Sequence, residues 1–551
     1  MELDEGDAAS GAARQDVLLT FQGGGAKGIV HVGALRAVEE LGFNLKGVAG
    51  TSAGAMVAAL VAAGYTADEL LNPDDQSHIL DRFRGEGFHK ATDFFGEWGW
   101  WWIEQLREAA TPKWLLPARI VVAVISLAWL NHYHPLAATV LAATMLVCLV
   151  GTAVFAINGV TTVKRVRNFI DVALRAKLGE AAAGPDQPLT FRDLNERSDI
   201  PLKIVATNIT DEVGEVFSYY RTPDVAVADA VAASICLPVI FRPWKFDCIR
   251  GTGVSADSKP RRFQDGGLIS NLPVWTLDEE RRTDQQCLTI AFAIRPDQPE
   301  KSSAQTRGKH WLAAIASAVV SGSGELDTRG IDDIIYVPIA CGLNTLEFDA
   351  GVDTLCDVVT KSHAGVRARI EEDWVTFPEI LDTASQDICE SFEAALLAEI
   401  GRWFRMGSLP AVKVAMAMYE KWNHTEFQLS YPHGFADLPD VGYDELRSVW
   451  ENNAPSISHV EVSNQWAGAC WRAVVPVSRR VVPDRVPVVD GHPERPLLFV
   501  IEFDASCMTR DPAMLQNLEN GITDILQDVI AYGRDSGLYE AVQRTTSSPW
   551  H

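Results

Sequence analysis

The sequence predicts an α/β fold with a mostly parallel central sheet, and three observations lead to that class. An apolar, β-rich run, Val17–Phe21, is followed after a glycine cluster by a helical pattern from Lys27 to Leu41. A second apolar run, "LKGVAG", leads into an Ala-rich helical stretch that ends near Gly64. Strand and helix signals resume in the C-terminal part. Alternation of this kind is typical of a parallel sheet covered by helices.

Composition narrows the class of protein further. The chain has 551 residues, enough for about two to four domains. Its formal net charge of −25 argues against a nucleic-acid partner, which needs clustered Lys and Arg to neutralise phosphates. The nine cysteines are scattered without a CxxC, which is typical of reduced, buried thiols. Residues 1–15 are acidic and lack a basic segment followed by an apolar core, so we expect a disordered tail and no secretory signal.

The motif that predicts a catalytic nucleophile is a GxSxG, formed by Gly50, Thr51, Ser52, Ala53 and Gly54. It follows a short apolar strand and precedes a helix of small residues, which is the context of a nucleophile elbow. The tight turn presents the serine hydroxyl at a helix N-terminus, where the helix dipole favours an alkoxide. The alternative is a packing turn, but the strand–turn–helix setting predicts that Ser52 is a nucleophile.

A glycine-rich loop lies one βα unit before that elbow. Acyl transfer develops negative charge on a carbonyl oxygen, and unobstructed backbone N–H groups stabilise it. A phosphate-cradling loop is the alternative, but neither GxGxxG with a following acid nor GxxxxGK[ST] is present. We therefore expect an oxyanion hole, built from the consecutive residues Gly23, Gly24, Gly25, Ala26, Lys27 and Gly28.

The histidines offer no convincing triad base and no metal site. His31 lies inside the first predicted helix, where a packed or capping side chain is the usual role. His132 and His134 form an HxH on a predicted exposed turn, and two ligands on such a loop make a poor metal site. We therefore expect no metal and no cofactor.

A carboxylate in a DGG turn is the better partner for the serine. Asp265 ends an apolar-polar strand and is followed by Gly266 and Gly267, which open the backbone around it. A carboxylate close to a hydroxyl in a mostly dry cleft acts as the base directly, helped by a raised pKa. An ordinary turn is the alternative for a DGG taken alone. Together with the elbow, the motif predicts a Ser52–Asp265 dyad.

The segment 112–160 is predicted to be an apolar helical hairpin inserted in the catalytic domain. Leu136–Ile157 has 22 residues and no charge, enough at ~1.5 Å per residue to cross a ~30 Å hydrocarbon core. Trp114–Leu130 contains Pro117 and Arg119 and spans only if the arginine snorkels. A buried helical hairpin in a large core is the alternative. We expect a membrane hairpin.

The residues flanking the hairpin give its orientation. Four tryptophans in "EWGWWWIEQL" precede it, as expected at a membrane interface. Basic residues follow it, namely Lys164, Arg165, Arg167, Arg175 and Lys177, whereas the tip has no Lys or Arg. By the positive-inside rule both ends face the cytoplasm. We expect an integral membrane protein whose catalytic and C-terminal parts are cytoplasmic.

Taken together, these motifs resemble the patatin-like phospholipases, a family of Ser–Asp dyad lipid acyl hydrolases. The family's order of motifs is matched by Gly23–Gly28, Gly50–Gly54 and Asp265–Gly267. The stretches Val205–Tyr219 and Ala230–Pro243 also resemble family segments, and the likeness extends over Val17–Glu372. The inserted hairpin is a departure that leaves the chemistry intact but puts the substrate's route into question.

The resemblance implies roles and a three-layer patatin-like fold. Ser52 is the nucleophile, Asp265 is the base, and the amides of Gly24, Gly25 and their neighbours form the oxyanion hole. Lys27 corresponds to the loop's basic residue, with a structural or anionic-headgroup role. The expected catalytic domain covers 16–375.

The C-terminal part, 376–551, lies outside that resemblance. Its paired strands around "VVPV", an apolar strand "PLLFVIEF" and a closing helix over 514–532 weakly resemble a GAF-type sensor, a second α/β domain with a regulatory role. A family-specific extension packed on the catalytic domain is the alternative.

The sequence therefore predicts a membrane-anchored serine lipid acyl hydrolase that cleaves glycerophospholipid esters through an acyl-enzyme. The alternatives are a lysophospholipase, a neutral-lipid lipase, a transacylase, or a non-catalytic membrane signalling scaffold. The expected partners are a phospholipid membrane and a lipid substrate, with no nucleic acid. A small-molecule or protein activator at the C-terminal domain and a homo-oligomer stay open.

Overall fold

The computed structural model describes the N-terminal part of the chain over 14–109, 159–179, 187–251, 257–284, 287–296 and 334–403. Further along it describes 412–419, 427–431, 443–452, 454–460, 470–477, 488–489, 492–493 and 497–504, with a few isolated residues. The chain divides into two compact units, Met1–Arg369 and Ile370–His551. That division lies close to the boundary predicted after 375.

The first unit contains ten described strands. They are β1 Asp16–Phe21, β2 Asn44–Thr51, β3 Leu71–Asn72, β4 Ser77–His78, β5 Leu202–Asn208, β6 Val213–Phe217, β7 Trp244–Arg250, β8 Asp257–Gln264, β9 Leu288–Pro296 and β10 Ile334–Cys341. β3 and β4 pair as a short hairpin, and the other eight form one sheet.

The described helices of this unit connect those strands. They are α1 Val30–Glu40, α2 Ala53–Ala62, α3 Ala67–Leu70, α4 Ile79–Arg82, α5 Gly96–Ala109, α6 Lys164–Leu178, α7 Phe191–Asn195, α8 Val227–Ile235, α9 Asp278–Thr283 and α10 Val352–Glu371. The first predicted helix, from Lys27, is a 3₁₀ turn over Gly25–Ile29 that leads into α1. Glycines at its start favour the tighter turn over a regular helix.

The central sheet has the strand order β10-β9-β1-β2-β5-β8-β7, with β6 paired to β5. The pairs from β10 to β5 are parallel, and those of β5 with β8, β8 with β7 and β5 with β6 are antiparallel. The predicted mostly parallel sheet is therefore confirmed. β1 is buried over Val17–Phe21 and apolar there except for Thr20, as expected for a strand covered on both faces.

The register of the parallel strands brings two loops together. Phe21, the last residue of β1, pairs with Gly50 near the end of β2. The chain leaves β1 into the glycine-rich loop and leaves β2 into the GxSxG turn at the same edge of the sheet. Ligand sites of open α/β sheets lie at this carboxyl edge.

The predicted hairpin over 112–160 lies outside the described residues, except for 139, 143, 144, 159 and 160. In the part of the chain that the structure does describe, no helix has the length and apolar character that membrane crossing requires.

The second unit contains a five-stranded antiparallel sheet. Its strands are β11 Val412–Tyr419, β12 Phe427–Tyr431, β13 Ser456–Val460, β14 Cys470–Val477 and β17 Leu497–Asp504, in the order β12-β11-β17-β14-β13. β15 Val488–Val489 and β16 His492–Pro493 form a separate short pair. The long α11, Phe377–Trp403, contacts β11, and α12, Tyr443–Asn452, contacts β14. The predicted closing helix over 514–532 lies outside the described residues.

Candidate active site

The GxSxG turn has the strained geometry of a nucleophile elbow. Ser52 is the N-cap of α2 with φ 54° and ψ −122°, outside the usual region for a residue with a side chain. The residues two positions before and after it, Gly50 and Gly54, must be glycine because the turn is tightly packed. A Cβ at Gly50 would lie 2.3 Å from the Gly54 carbonyl oxygen, and one at Gly54 would lie 2.1 Å from the Phe21 carbonyl oxygen. The elbow therefore presents the Ser52 hydroxyl at the start of α2.

The hydroxyl of Ser52 donates a hydrogen bond to Oδ2 of Asp265 over 2.7 Å. The other oxygen, Oδ1, accepts from the backbone N–H of Gly267, also over 2.7 Å. Burial raises the pKa of Asp265 to about 6, with the hydrogen bonds from Ser52 and Gly267 acting in the opposite direction. These two residues are 213 positions apart, and the structure places them in direct contact as the two motifs predict.

The backbone around Asp265 fixes the carboxylate. Its N–H donates to the Cys236 carbonyl, and its own carbonyl accepts from the Thr207 hydroxyl. Gly266 is required because a Cβ there would lie 2.1 Å from the Val205 carbonyl oxygen on β5. Thr51 connects the elbow to the segment after the DGG turn, since its hydroxyl donates a hydrogen bond to the Ser270 carbonyl.

The glycine-rich loop lies beside the elbow, but its amides are not equivalent. Gly23 donates to the Asn271 carbonyl, Ala26 to the Thr345 carbonyl and Lys27 to the Gly24 carbonyl. Within the described residues, the amides of Gly24 and Gly25 have no such acceptor. Of the six residues expected to form the oxyanion hole, Gly24 and Gly25 are therefore the candidates whose N–H groups are open to a substrate oxygen, while Gly28 lies within the 3₁₀ turn.

The remaining loop residues shape the space around those two amides. A Cβ at Gly23 would lie 3.0 Å from the Ser52 Cβ, and one at Gly28 would lie 2.6 Å from the Ala53 Cβ. Gly25 has φ +58°. Lys27 does not line the active-site cavity, whereas the other five residues do. The loop therefore needs glycine both for close approach to the elbow and for a positive φ.

Ser234 is a site residue that the motif analysis did not assign. Its buried hydroxyl accepts the Ser52 N–H over 2.8 Å and donates to the Val205 carbonyl over 2.6 Å. It thereby links the elbow residue with the strained φ to the neighbouring strand β5. Ser234 lies in the segment Ala230–Pro243, and the resemblance of that segment to the patatin-like phospholipases was the one sequence signal that pointed to it. The spacing of residues in the sequence does not reveal its hydrogen bond to Ser52, which lies 182 positions away.

Asn271 was also missed and connects the loop to the DGG turn. The side-chain nitrogen of Asn271 donates to the Gly23 carbonyl over 3.3 Å, while the backbone carbonyl of Asn271 accepts from the Gly23 N–H. A Cβ at Gly267 would lie 3.0 Å from its Oδ1. The side chain is buried and lines the cavity. Asn271 therefore connects the glycine-rich loop to the DGG turn that contains Asp265.

Ser52 and Asp265 open onto an apolar cavity of about 230 Å³. Its wall is built mainly from aliphatic and aromatic side chains of α1, α2, α6 and the loops around them, among them Val57, Leu60, Phe94, Phe169, Phe241 and Leu346. Such a lining takes up an acyl chain and excludes water from the reacting groups.

The histidines do not join this site. His31 is fully buried, its Nε2 lies 2.8 Å from the Gln22 carbonyl, and burial lowers its pKa to about 4. It packs edge-on against Phe21, as expected for a packed residue. His132 and His134 lie outside the described residues. In the described part of the chain, no group of three or more His, Cys, Asp or Glu side chains has a metal-binding arrangement.

Comparison with known proteins shows similarity to patatin-like phospholipases and to a lipid hydrolase. The family model described as patatin-like phospholipase matches residues 19–278. The uncharacterised protein YqhO of Bacillus subtilis (strain 168) is 28% identical over 328 residues, covering 58% of this chain and 86% of that protein. The probable lipid hydrolase 463L of Invertebrate iridescent virus 6 is 28% identical over 86 residues, covering 16% of this chain and 26% of that protein.

Among solved structures, VipD from Legionella pneumophila matches with a TM-score of 0.31 and 20% identity, covering 65% of this chain and 67% of that one. The residues matched by the patatin-like phospholipase model include both the elbow and the DGG turn, the two motifs that form the Ser52–Asp265 contact.

Proposed function

We propose, from the premise that this chain is a lipid acyl hydrolase with a patatin-like phospholipase domain, that it cleaves glycerophospholipid esters through a Ser52–Asp265 dyad. The observation that carries the proposal is the 2.7 Å hydrogen bond from Ser52 Oγ to a buried Asp265 at the wall of an apolar cavity. A hydroxyl becomes a competent nucleophile when a base takes its proton as it attacks.

The proposed reaction proceeds in two half-reactions. Asp265 takes the Ser52 proton as Oγ attacks the ester carbonyl, and the resulting oxyanion accepts hydrogen bonds from the Gly24 and Gly25 amides. Collapse of this intermediate breaks the ester bond, and the proton on Asp265 passes to the departing alcohol oxygen. Asp265 then takes a proton from water as the water attacks the acyl-enzyme. It passes that proton to Ser52 Oγ as the ester bond to the serine breaks, which releases the fatty acid and restores the free dyad.

The raised pKa of Asp265 suits both directions of this proton transfer. A pKa of about 6 keeps the carboxylate ionised at neutral pH, yet makes it a stronger base than an exposed aspartate. The position of Ser52 at the N-terminus of α2 supports the developing negative charge. The apolar cavity lining supports a long-chain acyl group as the part of the substrate that is bound.

The test is incubation with phospholipid vesicles whose sn-1 and sn-2 chains carry different isotopic labels, followed by mass analysis of the products. Release of one labelled fatty acid by the wild-type protein and none by Ser52→Ala supports the proposal. Cleavage of lysophospholipid or triacylglycerol alone would replace it with the lysophospholipase or neutral-lipid alternative. Acyl transfer to an added alcohol would indicate a transacylase. No turnover of any ester would leave the scaffold alternative.

We also propose that the segment 112–160 anchors the chain in the membrane. The support is its uncharged stretch Leu136–Ile157 together with the described residues on either side. α5 ends at Ala109, and the chain returns at Gly159, next to Phe241 and Arg242. Deleting 114–157 therefore removes an insertion between described elements, and the expected result is a protein that no longer remains with membranes after an alkaline wash.

For the second unit we propose a regulatory, GAF-like domain. The support is a five-stranded antiparallel sheet with flanking helices and its own buried core, which includes Leu446, Val449, Val474, Leu498 and Val500. A core of this kind is what an independently folding module requires. An activator that bound this unit would switch the enzyme by favouring its active conformation.

A further inference from the structure

A second cavity lies outside the catalytic one, at the outer face of α5. It is lined by Trp98, Trp100 and Trp101 together with Glu97 and Glu104 from the same helix. Basic side chains come from neighbouring elements, namely Lys90 before α5 and Arg165 on α6. Three indole rings and charges of both signs therefore surround one space.

Helix geometry explains why these side chains converge. Glu97, Trp101 and Glu104 are spaced i, i+4 and i+7, so they share one face of α5. The opposite face carries Ile103, which is fully buried. At Gly99 a Cβ would lie 2.7 Å from the Thr161 hydroxyl, so the backbone of α5 packs closely against the domain there. The tryptophan face is consequently held outward.

This face is unusually exposed for such large apolar side chains. Trp98 is 80% exposed and Trp101 is 47% exposed. Neither Glu97 nor Glu104 forms a hydrogen bond or ion pair within the residues that the structure describes. Exposed indole rings next to unpaired carboxylates offer what a quaternary ammonium needs, since it lacks N–H donors and binds through aromatic faces and nearby negative charge.

The basic residues supply the complementary half of a zwitterion. Arg165 donates to the Asp93 carbonyl through Nη1 over 3.0 Å, which fixes the guanidinium at the cavity. Its other N–H groups and the Lys90 ammonium suit a phosphate. Glu97 and Glu104 lie on α5, whereas Lys90 and Arg165 lie on the elements beside it. Asp93 also lines the cavity on the basic side, and its Oδ2 accepts hydrogen bonds from the backbone N–H groups of His89 and Lys90.

We propose that this cavity is a non-catalytic binding site for the phosphocholine headgroup of a membrane phospholipid, with the ammonium against Trp98, Trp101, Glu97 and Glu104 and the phosphate against Lys90 and Arg165. The site is next to the catalytic cavity. Phe95 packs against Trp100 with ring centroids 5.9 Å apart and also lines the catalytic cavity. A headgroup held here positions the catalytic cavity at a choline-rich lipid surface.

The first test is calorimetric titration of the full-length protein, in a maltoside detergent, with phosphocholine, with inorganic phosphate and with phosphoethanolamine. Phosphocholine is expected to bind at least about tenfold more tightly than the other two. Trp98→Leu and Glu97→Gln/Glu104→Gln should lose that preference, while Trp98→Phe, which keeps an aromatic face, should retain most of it. Tyr220→Ala, at another exposed aromatic residue (65%), is the matched control. Equal binding of phosphate and phosphocholine, or full phosphocholine affinity in Trp98→Leu, would overturn the proposal.

The second test distinguishes a lipid headgroup from a free phosphocholine compound and from a general membrane contact. Wild type and Trp98→Leu are compared on phosphatidylcholine and phosphatidylglycerol vesicles, with a soluble short-chain ester as the control. The expected loss is confined to phosphatidylcholine vesicles. An equal loss on both vesicles would indicate non-specific interfacial contact, and no loss on either would assign the site to soluble compounds; both results contradict the proposal. Hydrolysis of the soluble ester reports the Ser52–Asp265 dyad separately, and the titration does not depend on turnover.

Discussion

At the scale of single residues, the proposed mechanism depends on a hydroxyl and a carboxylate that share one short hydrogen bond. Ser52→Ala removes the nucleophile and Asp265→Asn removes the base, so we expect each to lower kcat by about a thousandfold or more. The double variant should be no worse than either single variant, because residues that act as a unit are not additive. Near-normal turnover by Asp265→Asn would exclude it as the base. Thermal unfolding of each variant serves as the folding control.

The pH dependence of kcat/KM follows from the raised pKa of Asp265. Since the base must be ionised, activity should rise with pH and reach half its plateau near pH 6. The folded state holds this proton more tightly than the unfolded chain, so the group's contribution to stability is greatest at low pH and is lost as pH rises through about 6. Glu39→Gln is the control, since burial raises the pKa of Glu39 to about 7 but its side chain does not line the cavity. An inflection that moved with Glu39→Gln would contradict the assignment.

The Ser234→Ala variant tests whether the Ser234 hydroxyl positions the strained elbow at Ser52. Ser234→Ala leaves the Ser52 N–H without its acceptor, so we expect kcat to fall by about tenfold or more while KM stays nearly constant. Ser362→Ala is the matched control, because that buried hydroxyl also donates to a backbone carbonyl but lies on α10, away from the elbow. Equal effects on kcat in the two variants would indicate general destabilisation instead of positioning.

The sequence alone predicts the site residues that belong to local motifs. Ser52, Gly54 and Asp265 are each marked by their immediate neighbours, because a tight turn restricts which residues can flank it. Ser234 and Asn271 could not be found in that way, since their roles depend on hydrogen bonds across 182 and 248 positions. Such contacts arise from the strand order of the sheet, which local patterns do not determine.

At the scale of elements, the parallel pairing of β1 with β2 brings the glycine loop and the elbow to one edge of the sheet. Alternating strand and helix signals predicted that pairing because a βαβ unit has few alternative arrangements. The antiparallel addition of β6, β7 and β8 was not predicted, although the DGG turn ends β8. Antiparallel strands carry the same local sequence signal as parallel ones, so the direction of these strands depends on the connections between them.

Close packing between elements makes Gly54 sensitive to any added side chain. In Gly54→Ala the new methyl group meets the backbone oxygen of Phe21, which cannot move without disrupting β1, so we expect destabilisation by about 3 kcal/mol. Gly365→Ala is the control. It lies within α10, and outside that helix's own backbone no atom would lie within 4 Å of the new methyl group, so it should stabilise the protein by roughly 0.5–1 kcal/mol. Urea or thermal unfolding measures both, and similar stability of the two variants would contradict the packing argument.

At the scale of the whole molecule, the proposed membrane anchor would hold the enzyme at its own substrate, and such an enzyme needs a restraint. The second unit has its own core and is the candidate for that role. A chain that ends at Val375 should therefore turn over phospholipid faster per molecule than the full-length protein, and Ser52→Ala should abolish any toxicity of its expression. A full change from inactive to active would need about 5 kcal/mol of differential binding energy from the activator. A folded truncation that keeps the full-length rate would assign the second unit another task.

The measurement that tests the central claim most directly is mass spectrometry of the acyl-enzyme. The full-length protein is mixed with a phospholipid carrying a labelled acyl chain, quenched in acid within one turnover, digested and mapped. The account predicts the labelled acyl group on Ser52 in the wild type, none in Ser52→Ala, and strongly reduced labelling in Asp265→Asn. Acylation of another residue, or hydrolysis that continues in Ser52→Ala, would contradict it.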